Sequence, residues 1–190
     1  MKNKLRREKI AAREALSAGE RQAKSEEIAR HIAALPEFQA ARTVMLYRGI
    51  KGEVRLDHLT CLAPEKRYAY PLCRDGGEML ALIPEDETAF KPGPFGIPEP
   101  DPSRSEEAEP EEIDLVICPC SSFDRFGHRL GMGAGYYDRY LPRCGKAVTV
   151  VAAFEIQRAD HIYTEVTDIS IQNIATDAGV FPAETEQSEL

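Results

Sequence analysis

One stretch of the chain contains both residue types that bind phosphate and an acid of the type that binds a divalent cation. Arg129 precedes a glycine-rich run and Asp138 follows it. The glycines of this run alternate, at Gly131, Gly133 and Gly135. Glycine lets the backbone approach a ligand closely, and a helix that starts after such a run presents free N–H groups to an anion. The spacing is neither a P-loop nor a GxGxxG dinucleotide fingerprint, so a phosphate site and a simple turn are equally good interpretations.

The first thirteen residues carry a second set of charges suited to an anionic ligand. They hold six basic side chains and one acid, a balance of +5, whereas the whole chain has a net charge of −8. The basic residues are Lys2, Lys4, Arg6, Arg7, Lys9 and Arg13. Such a run is most often a solvated helix face, although the same cations suit a phosphate or a carboxylate. On charge alone we favour the solvated face.

Composition narrows the class of protein. The chain has 190 residues, of which 43% are apolar and 29% charged, and this balance predicts one soluble globular domain. The acidic net charge argues against nucleic-acid and membrane partners. No apolar run is long enough for a transmembrane helix and the N-terminal segment lacks a signal-like apolar core, so we expect a cytoplasmic protein. Five cysteines without a CxxC pair predict reduced thiols.

Alternating helix and strand patterns provide the framework for these residues. Apolar spacing predicts a helix over 2–16, a second helix after the capping box of Ser17 and Glu20, and a helix over 54–63. Strands are predicted at 43–47, 67–71, 78–83, 114–118, 148–154 and 169–175. Continuous apolar runs are typical of strands buried on both faces. We therefore predict an α/β fold with a mainly parallel sheet, with a hairpin over 67–83 as an open alternative.

Two segments are predicted to be loops. Residues 91–102 contain five prolines and two glycines, and residues 99–114 carry eight acids. We expect the first segment to lack regular secondary structure and the second to be a solvated surface loop. With no internal repeat, residues 1–183 are predicted to form a single domain, followed by a frayed polar tail at 184–190.

The segment FDRFGHRLGMGAGYYDRYL, at 123–141, resembles the FDxxGxRLGxGxGYYDxxL signature of the 5-formyltetrahydrofolate cyclo-ligase (methenyltetrahydrofolate synthetase) family. The resemblance extends in order from Lys2 to about Asp177. Its flanking parts are the KxxLR-like start at Lys2, Lys4, Leu5 and Arg6, the acid Glu53 after the first strand, the FGIPEP turn at 95–100, and the segment from Phe154 to Asp168.

This resemblance implies an activity and a fold. The family converts 5-formyltetrahydrofolate and Mg·ATP into 5,10-methenyltetrahydrofolate, ADP and phosphate. Phosphorylation of the formyl oxygen makes it a leaving group, and folate N10 then closes the ring, a reaction that requires positioning and charge neutralisation rather than a protein nucleophile. The implied fold is a three-layer α/β/α domain similar to ribose-phosphate isomerase and CoA-transferase. The implied protein is a monomer whose folate substrate is either plain or polyglutamated.

The resemblance also implies roles for individual residues. Arg129 and Tyr136 are expected to be catalytic, and Asp138 and Asp168 to bind Mg²⁺. The expected ATP-binding residues are Lys2, Arg6, Arg129, Leu130, Gly131, Met132, Gly133, Ala134, Gly135, Tyr136 and Tyr137. The expected folate-binding residues are Arg6, Arg48, Glu53, Met132, Gly133, Ala134, Gly135 and Tyr136.

Each assignment has a simpler alternative. Asp138 could also be an ordinary acid in the first turn of a helix, where negative charge is favourable. Glu53 could also be an ordinary acid in a surface loop. One of Tyr136 and Tyr137 is expected to be a core aromatic.

The chain departs from the family pattern at several positions. Met132 stands where the family often has a basic or aromatic residue. Ala134 stands where the family has glycine or lysine. Thr167 precedes Asp168 where the family usually has histidine. His128 and His161 are expected to be ordinary surface histidines.

The alternative functions are a non-catalytic folate- or nucleotide-binding paralogue and a different ATP-dependent ligase; Glu53 favours the folate enzyme over both.

Overall fold

The structure is a computed structural model that describes residues 2–50 and 52–186, apart from the side chain of Phe95. Of the predicted polar tail, residues 187–190 lie outside this range. The helices are α1 (Lys2–Glu14), α2 (Ala18–Ala33), α3 (Pro36–Ala40), α4 (Asp57–Leu62) and α5 (Tyr136–Tyr140). The strands are β1 (Thr43–Met45), β2 (Arg67–Cys73), β3 (Met79–Pro84), β4 (Phe90–Pro92), β5 (Pro98–Pro100), β6 (Ser105–Ala108), β7 (Leu115–Cys118), β8 (Ser122–Phe123), β9 (Arg129–Leu130), β10 (Val148–Ala152), β11 (Asn173–Thr176) and β12 (Gly179–Pro182).

The main sheet has the strand order β12-β11-β10-β7-β1-β2-β3-β6. Its centre is parallel, from β11 through β10, β7 and β1 to β2. β12 on one side and β3 and β6 on the other are antiparallel. The predicted mainly parallel sheet is confirmed, and residues 67–83 form the hairpin of β2 and β3.

The central strands are buried on both faces because helices or turns cover each face. On one face, side chains of alternate strand residues pack against α2, α3 and α4; on the other face, they pack against α5 and the turn that follows it. The first core includes Val44, Leu115, Ile117, Val150, Ile28, Ile32, Phe38 and Leu59. The second includes Met45, Val116, Cys118, Val151, Tyr140, Leu141 and Cys144. This alternation produces the three-layer arrangement expected from the sequence.

The N-terminus of α2 follows its predicted signal. The Ser17 Oγ accepts a hydrogen bond from the Glu20 N–H (3.2 Å), and the Glu20 carboxylate accepts one from the Ser17 N–H (2.8 Å). These reciprocal bonds satisfy N–H groups that a helix start otherwise leaves unpaired. The capping box is confirmed.

The two predicted loops contain strands that their composition concealed. Within 91–102, β4 and β5 pair in a small separate sheet whose register joins Phe90 to Pro100 and Pro92 to Pro98. Proline is tolerated there because a two-stranded ribbon leaves outward N–H positions unused. Within 99–114, β6 pairs with β3 at the sheet edge. Its exposed acids Glu106 and Glu107 fit an edge strand, because charge on an edge opposes pairing with another chain.

The cysteine prediction is confirmed, since all five are free thiols. Cys118, Cys120 and Cys144 are buried among apolar side chains. In the described part of the chain, no helix is both long enough and apolar enough to cross a bilayer.

Candidate active site

The strand order gives the sheet a topological switch point. Numbered along the chain, the five parallel strands have the spatial order 2-1-3-4-5, so the order reverses between β1 and β7. In open α/β sheets, ligands bind at this switch point, outside the carboxyl ends of the strands. The chain leaving β1 reaches Glu53 there, and the chain leaving β7 reaches Cys120.

Glu53 follows β1 at this switch point and is held by two contacts. Its Oε2 accepts a hydrogen bond from the Ile50 N–H (2.9 Å), and its Oε1 faces NH1 of Arg13 (3.4 Å). The side chain is only 8% exposed. Burial raises the pKa of Glu53 above its ordinary value, while Arg13 and the Ile50 N–H act in the opposite direction. Glu53 is therefore a buried carboxylate at the switch point of the sheet rather than a surface acid.

Arg13, the partner of Glu53, is a functional candidate that the sequence analysis did not single out. It is 1% exposed. Its NH1 also donates to the carbonyl oxygen of Cys120 (3.3 Å), and its Nε has no hydrogen-bond partner among the described residues. The guanidinium thus joins the segments that follow β1 and β7. The sequence signal that could have identified Arg13 is the spacing of cations along α1, because Arg13 lies seven positions after Arg6 and therefore on the same side of the helix.

That spacing defines a cationic face of α1, made of Lys2, Arg6, Lys9 and Arg13. Residues three and four positions apart share one side of a helix. Lys9 donates to the carbonyl oxygens of Ile156 and Arg158, and Arg6 Nε donates to the carbonyl oxygen of Gly131 (2.7 Å). Each cation reaches a different segment of the site. The solvated-face interpretation is wrong for these four residues, although Lys4 and Arg7 are exposed.

The glycine loop, residues 131–135, lies against this face. Gly133 and Gly135 have positive φ, at 103° and 67°, and Gly135 caps α5 in the left-handed conformation. Gly131, Met132, Gly133 and Ala134 are exposed. Because α5 has only five residues, its dipole is weak. Any anion here therefore depends on the loop N–H groups and on side-chain cations.

Arg129 and Asp138, at the two ends of the loop, meet directly. Arg129 NH2 lies 3.0 Å from Asp138 Oδ1, and Arg129 NH1 donates to the carbonyl oxygen of Ile169 (2.8 Å). The Ile169 N–H in turn donates to Asp138 Oδ1 (3.1 Å). These contacts bring Asp138 to the segment that contains Asp168. The two acids expected to bind a cation are thus on adjoining segments.

Asp168 pairs with the first residue of α1. Its Oδ2 accepts hydrogen bonds from Lys2 Nζ (2.8 Å) and from the Glu165 N–H (2.9 Å). Burial acts to raise the pKa of Asp168, but these hydrogen bonds and the Lys2 charge outweigh it and lower the pKa. The hydrogen bond to Asp168 raises the pKa of Lys2. Both groups are therefore charged at neutral pH.

The two tyrosines after the loop have different surroundings. The Tyr136 hydroxyl donates to the carbonyl oxygen of Arg74 (3.3 Å), at the end of β2. The Tyr137 hydroxyl is buried and has no hydrogen-bond partner within the described chain. Burial raises the pKa of Tyr137 well above its ordinary value. Tyr137 is the more enclosed of the pair, and its buried hydroxyl is an unpartnered polar group at the site.

Arg48 lies beside aromatic rings rather than on the glycine loop. Its guanidinium carbon is 4.2 Å from the centre of the Phe90 ring and 5.3 Å from that of Tyr70. It also pairs with Asp57 (3.4 Å) and with Glu87. Its Nε is buried without a hydrogen-bond partner from the described residues. A predicted folate contact thus retains an unused donor.

Asp124 and two histidines resemble a metal site but have another explanation. Potential ligand atoms of Asp124, His128 and His161 lie within 4.8 Å of one another. However, the Asp124 carboxylate already accepts the N–H groups of Phe126, His128 and Ile162 and contacts His128 Nδ1 (3.0 Å). It is therefore occupied in shaping the turn before the glycine loop. The expectation that His128 is a surface residue is wrong, because it is 7% exposed; His161 is exposed as expected.

Comparison with known proteins places this chain in a family. A profile described as the 5-formyltetrahydrofolate cyclo-ligase family matches residues 1–177. The 5-formyltetrahydrofolate cyclo-ligase of Mus musculus is 27% identical over 177 residues, covering 84% of this chain and 85% of the mouse protein.

Two solved structures agree with the profile. The 5,10-methenyltetrahydrofolate synthetase of Aquifex aeolicus is 34% identical, with a TM-score of 0.82 over 100% of this chain and 96% of that one. The synthetase of Mycoplasma pneumoniae is 26% identical, with a TM-score of 0.76 over 93% of this chain and 98% of that one. The family expected from the sequence is thereby confirmed: the chain belongs to the 5-formyltetrahydrofolate cyclo-ligase family of enzymes.

Proposed function

We propose that this chain uses ATP and Mg²⁺ to convert 5-formyltetrahydrofolate into 5,10-methenyltetrahydrofolate, acting as a monomer in the cytoplasm. The observation that carries the proposal is the arrangement of two ligand-binding groups along α1. Arg6 contacts the glycine loop and Arg13 contacts Glu53. Seven residues of α-helix rise about 10 Å. A phosphate-binding loop and a buried carboxylate therefore lie on one helix face, close enough to serve two substrates that react with each other.

The folate side of the site is assigned to Glu53. An ionised carboxylate accepts two hydrogen bonds, which matches the donor edge of an aminopyrimidine such as the pterin ring. The unpartnered donors on Arg48 and Tyr137 support a ligand in this region, because buried polar groups normally have partners. We assign Arg6, Met132 and Tyr136 to the rest of the folate contact, together with the backbone of residues 133–135.

The ATP side of the site is assigned to the glycine loop and its cations. Lys2, Arg6 and Arg129 supply positive charge, and the exposed backbone of residues 131–134 supplies N–H donors. Tyr136 and Tyr137 border the loop. Charge neutralisation of this kind is the main contribution of a protein to phosphoryl transfer.

The residues present fit a magnesium ion. Asp138 and Asp168 are carboxylates on adjoining segments, and the hydrogen bonds described above use Oδ1 of the first and Oδ2 of the second. The second oxygen of each carboxylate therefore has no described partner. Mg²⁺ is usually held by one or two carboxylates with phosphates and water. When bound, the ion would neutralise phosphate charge; Arg129 would keep Asp138 oriented through their 3.0 Å contact.

The proposed reaction has two balanced steps. The formyl oxygen attacks the γ-phosphorus, and the bond between that phosphorus and the departing ADP breaks. N10 then attacks the formyl carbon and loses its proton, while the carbon–oxygen bond breaks and phosphate leaves. The protein supplies alignment rather than a nucleophile, and Arg129 and Tyr136 are our candidates for contact with the reacting groups.

A direct assay tests this function. The purified protein is mixed with 5-formyltetrahydrofolate, ATP and Mg²⁺, and near-ultraviolet absorbance is followed while ADP is counted. The methenyl product has an extended conjugated amidinium, so absorbance is expected to rise only when ATP and Mg²⁺ are both present. If both substrates bind and no product forms at high enzyme concentration, the chain is a non-catalytic binding paralogue instead.

A further inference from the structure

The Arg13–Glu53 pair is the most deeply buried ion pair described at the site. The Arg13 side chain is 1% exposed and that of Glu53 is 8% exposed. Removing two charges from water is costly, and such a pair rarely stabilises a fold more than apolar residues of the same size would. Its position at the switch point of the sheet instead suggests a role in ligand binding.

The contacts of Arg13 are unusually few for a buried guanidinium. An arginine has five N–H donors, yet the described contacts use only NH1, at 3.4 Å from Glu53 and 3.3 Å from the Cys120 carbonyl. Nε is buried without a partner. A group that was only structural would be expected to have its donors satisfied. The guanidinium therefore acts mainly as a positive charge placed behind the Glu53 carboxylate.

Among the ionisable side chains around Glu53, Arg13 is the group that favours the ionised carboxylate. Four described ionisable groups interact with Glu53. Arg13 from α1 acts on Glu53, and the Glu53 charge acts on Tyr47 after β1, Cys120 after β7 and Tyr137 from α5. Of these, only Arg13 is a cation. Tyr47, Cys120 and Tyr137 are neutral because burial raises the pKa of each thiol or hydroxyl. The Ile50 N–H also stabilises the ionised carboxylate.

We propose that Arg13 is a positioning residue for folate binding: it keeps the buried Glu53 ionised and oriented, so that Glu53 can accept the donor edge of the pterin. This inference rests on the folate role proposed for Glu53. A protonated Glu53 would present a hydroxyl donor to a donor edge, and one of the two hydrogen bonds would be lost. Arg13 thereby sets the pH range over which folate binds.

The sign of the expected pH effect follows from the charges. Burial raises the pKa of Glu53 and Arg13 lowers it, so removing Arg13 raises the pKa further. In Arg13→Met, Glu53 should therefore ionise at a higher pH than it does in the wild type. The KM for 5-formyltetrahydrofolate should increase about tenfold near pH 7, the order expected for loss of a buried charged partner. It should recover toward alkaline pH.

The test is the pH profile of KM for each substrate, measured separately from kcat, in Arg13→Met and Arg13→Lys. Arg7→Met is the matched control, because Arg7 is an exposed arginine on the same helix. We expect a pH-dependent folate KM in Arg13→Met and an unchanged ATP KM. Arg13→Lys keeps the positive charge and should therefore retain the wild-type pH range. It also provides a folded variant for the test if Arg13→Met unfolds.

Two results would overturn the inference. One is an equal, pH-independent increase of both KM values in the Arg13 variants, which would indicate a structural role. The other is a wild-type folate profile in Arg13→Met. The double variant Arg13→Met/Glu53→Gln separates this inference from the function on which it rests, because it should lose the pH dependence. If Glu53→Gln alone leaves the folate KM unchanged, the folate role of Glu53 itself is wrong.

Discussion

The first two helices follow one another in the chain but contact the protein in opposite ways. Among the residues of α1, which are all described, only Arg13 is buried, and the helix contacts the site through the cationic face. α2 buries Ser25, Ile28, Ala29 and Ile32 against the sheet. One helix is joined to the body by charged groups and the other by apolar side chains. The difference supports the proposal that α1 contributes to ligand binding, whereas α2 stabilises the fold.

Energetics support this division. Burying an isoleucine side chain contributes about 1.5–3 kcal/mol, so Ile28 and Ile32 fix α2 to the sheet. Ion pairs between partly exposed side chains contribute about 0–1 kcal/mol each. Lys2 and Asp168 are of this kind, since their side chains are 29% and 26% exposed. The partly exposed charges of α1, unlike that of the buried Arg13, are therefore available to an anionic ligand at little cost in stability.

The largest effect is expected at the proposed metal site. Asp138→Asn should reduce ATP-dependent turnover by about a hundredfold to a thousandfold, the range seen when one electrostatic group is lost from a catalytic site. The amide keeps an oxygen for the Ile169 N–H, so the protein should stay folded. Steady-state kinetics and thermal melts measure both quantities. Asp160→Asn, which changes an exposed acid, is the control, and turnover within a few-fold of wild type in Asp138→Asn would remove Asp138 from the site.

The next effect concerns α2 and stability alone. Ile32 is fully buried, and Ile32→Ala should cost about 2–5 kcal/mol through lost burial and a cavity. That corresponds to a decrease in Tm of about 2–4 °C per kcal/mol for a protein of this size. KM values for the folded enzyme should not change. Gln22→Ala, on the exposed side of α2, should leave Tm unchanged; a change in KM in Ile32→Ala would contradict the division of roles.

A smaller and more selective effect is expected at Glu53. Glu53→Gln removes a charged acceptor while keeping the size of the side chain. Folate affinity should decrease about tenfold to a hundredfold, equivalent to about 1.5–3 kcal/mol, and ATP affinity should remain the same. Calorimetric titration of each substrate checks this. Equal losses for both would mean that Glu53 is structural.

The smallest effect concerns the Lys2–Asp168 pair. The pKa of Asp168 is lowered and that of Lys2 is raised. The pair's contribution is therefore fully present between about pH 4 and pH 10. It is lost as the pH falls through the lowered pKa of Asp168 or rises through the raised pKa of Lys2.

Salt provides a measurement of the same pair. Because exposed ion pairs are screened by salt, about 0.5 M NaCl should increase amide hydrogen exchange in α1 by a few-fold. Exchange in α2, which is held by apolar burial, should not increase. Equal responses of the two helices would remove the distinction between them.

The same comparison explains what the sequence could and could not predict. α2 was predictable because its capping box and its apolar spacing are local signals. The parallel centre of the sheet was predictable from continuous apolar runs. The edge strand β6 was not, because its acids are typical of a loop and its pairing with β3 depends on residues more than twenty positions away.

The site shows the same limit. The glycine loop, Asp138 and Glu53 could be singled out because their residue types and family pattern are specific. Arg13 could not, because a charge in a basic helix is most often solvated, and only tertiary structure buries it beside Glu53. The burial of His128 is unpredictable for a similar reason: its partner Asp124 lies inside a turn that composition alone does not determine.

The central claim, that the cationic face of α1 serves substrate binding rather than the fold, is tested most directly by one pair of measurements on one variant. In Lys2→Met/Arg6→Met, kcat/KM for ATP and Tm are measured on the same preparation. We expect kcat/KM to decrease by about a hundredfold or more, because two phosphate-binding charges are lost, and Tm to decrease by no more than about 4 °C. A large decrease in Tm with little change in kcat/KM would contradict the claim.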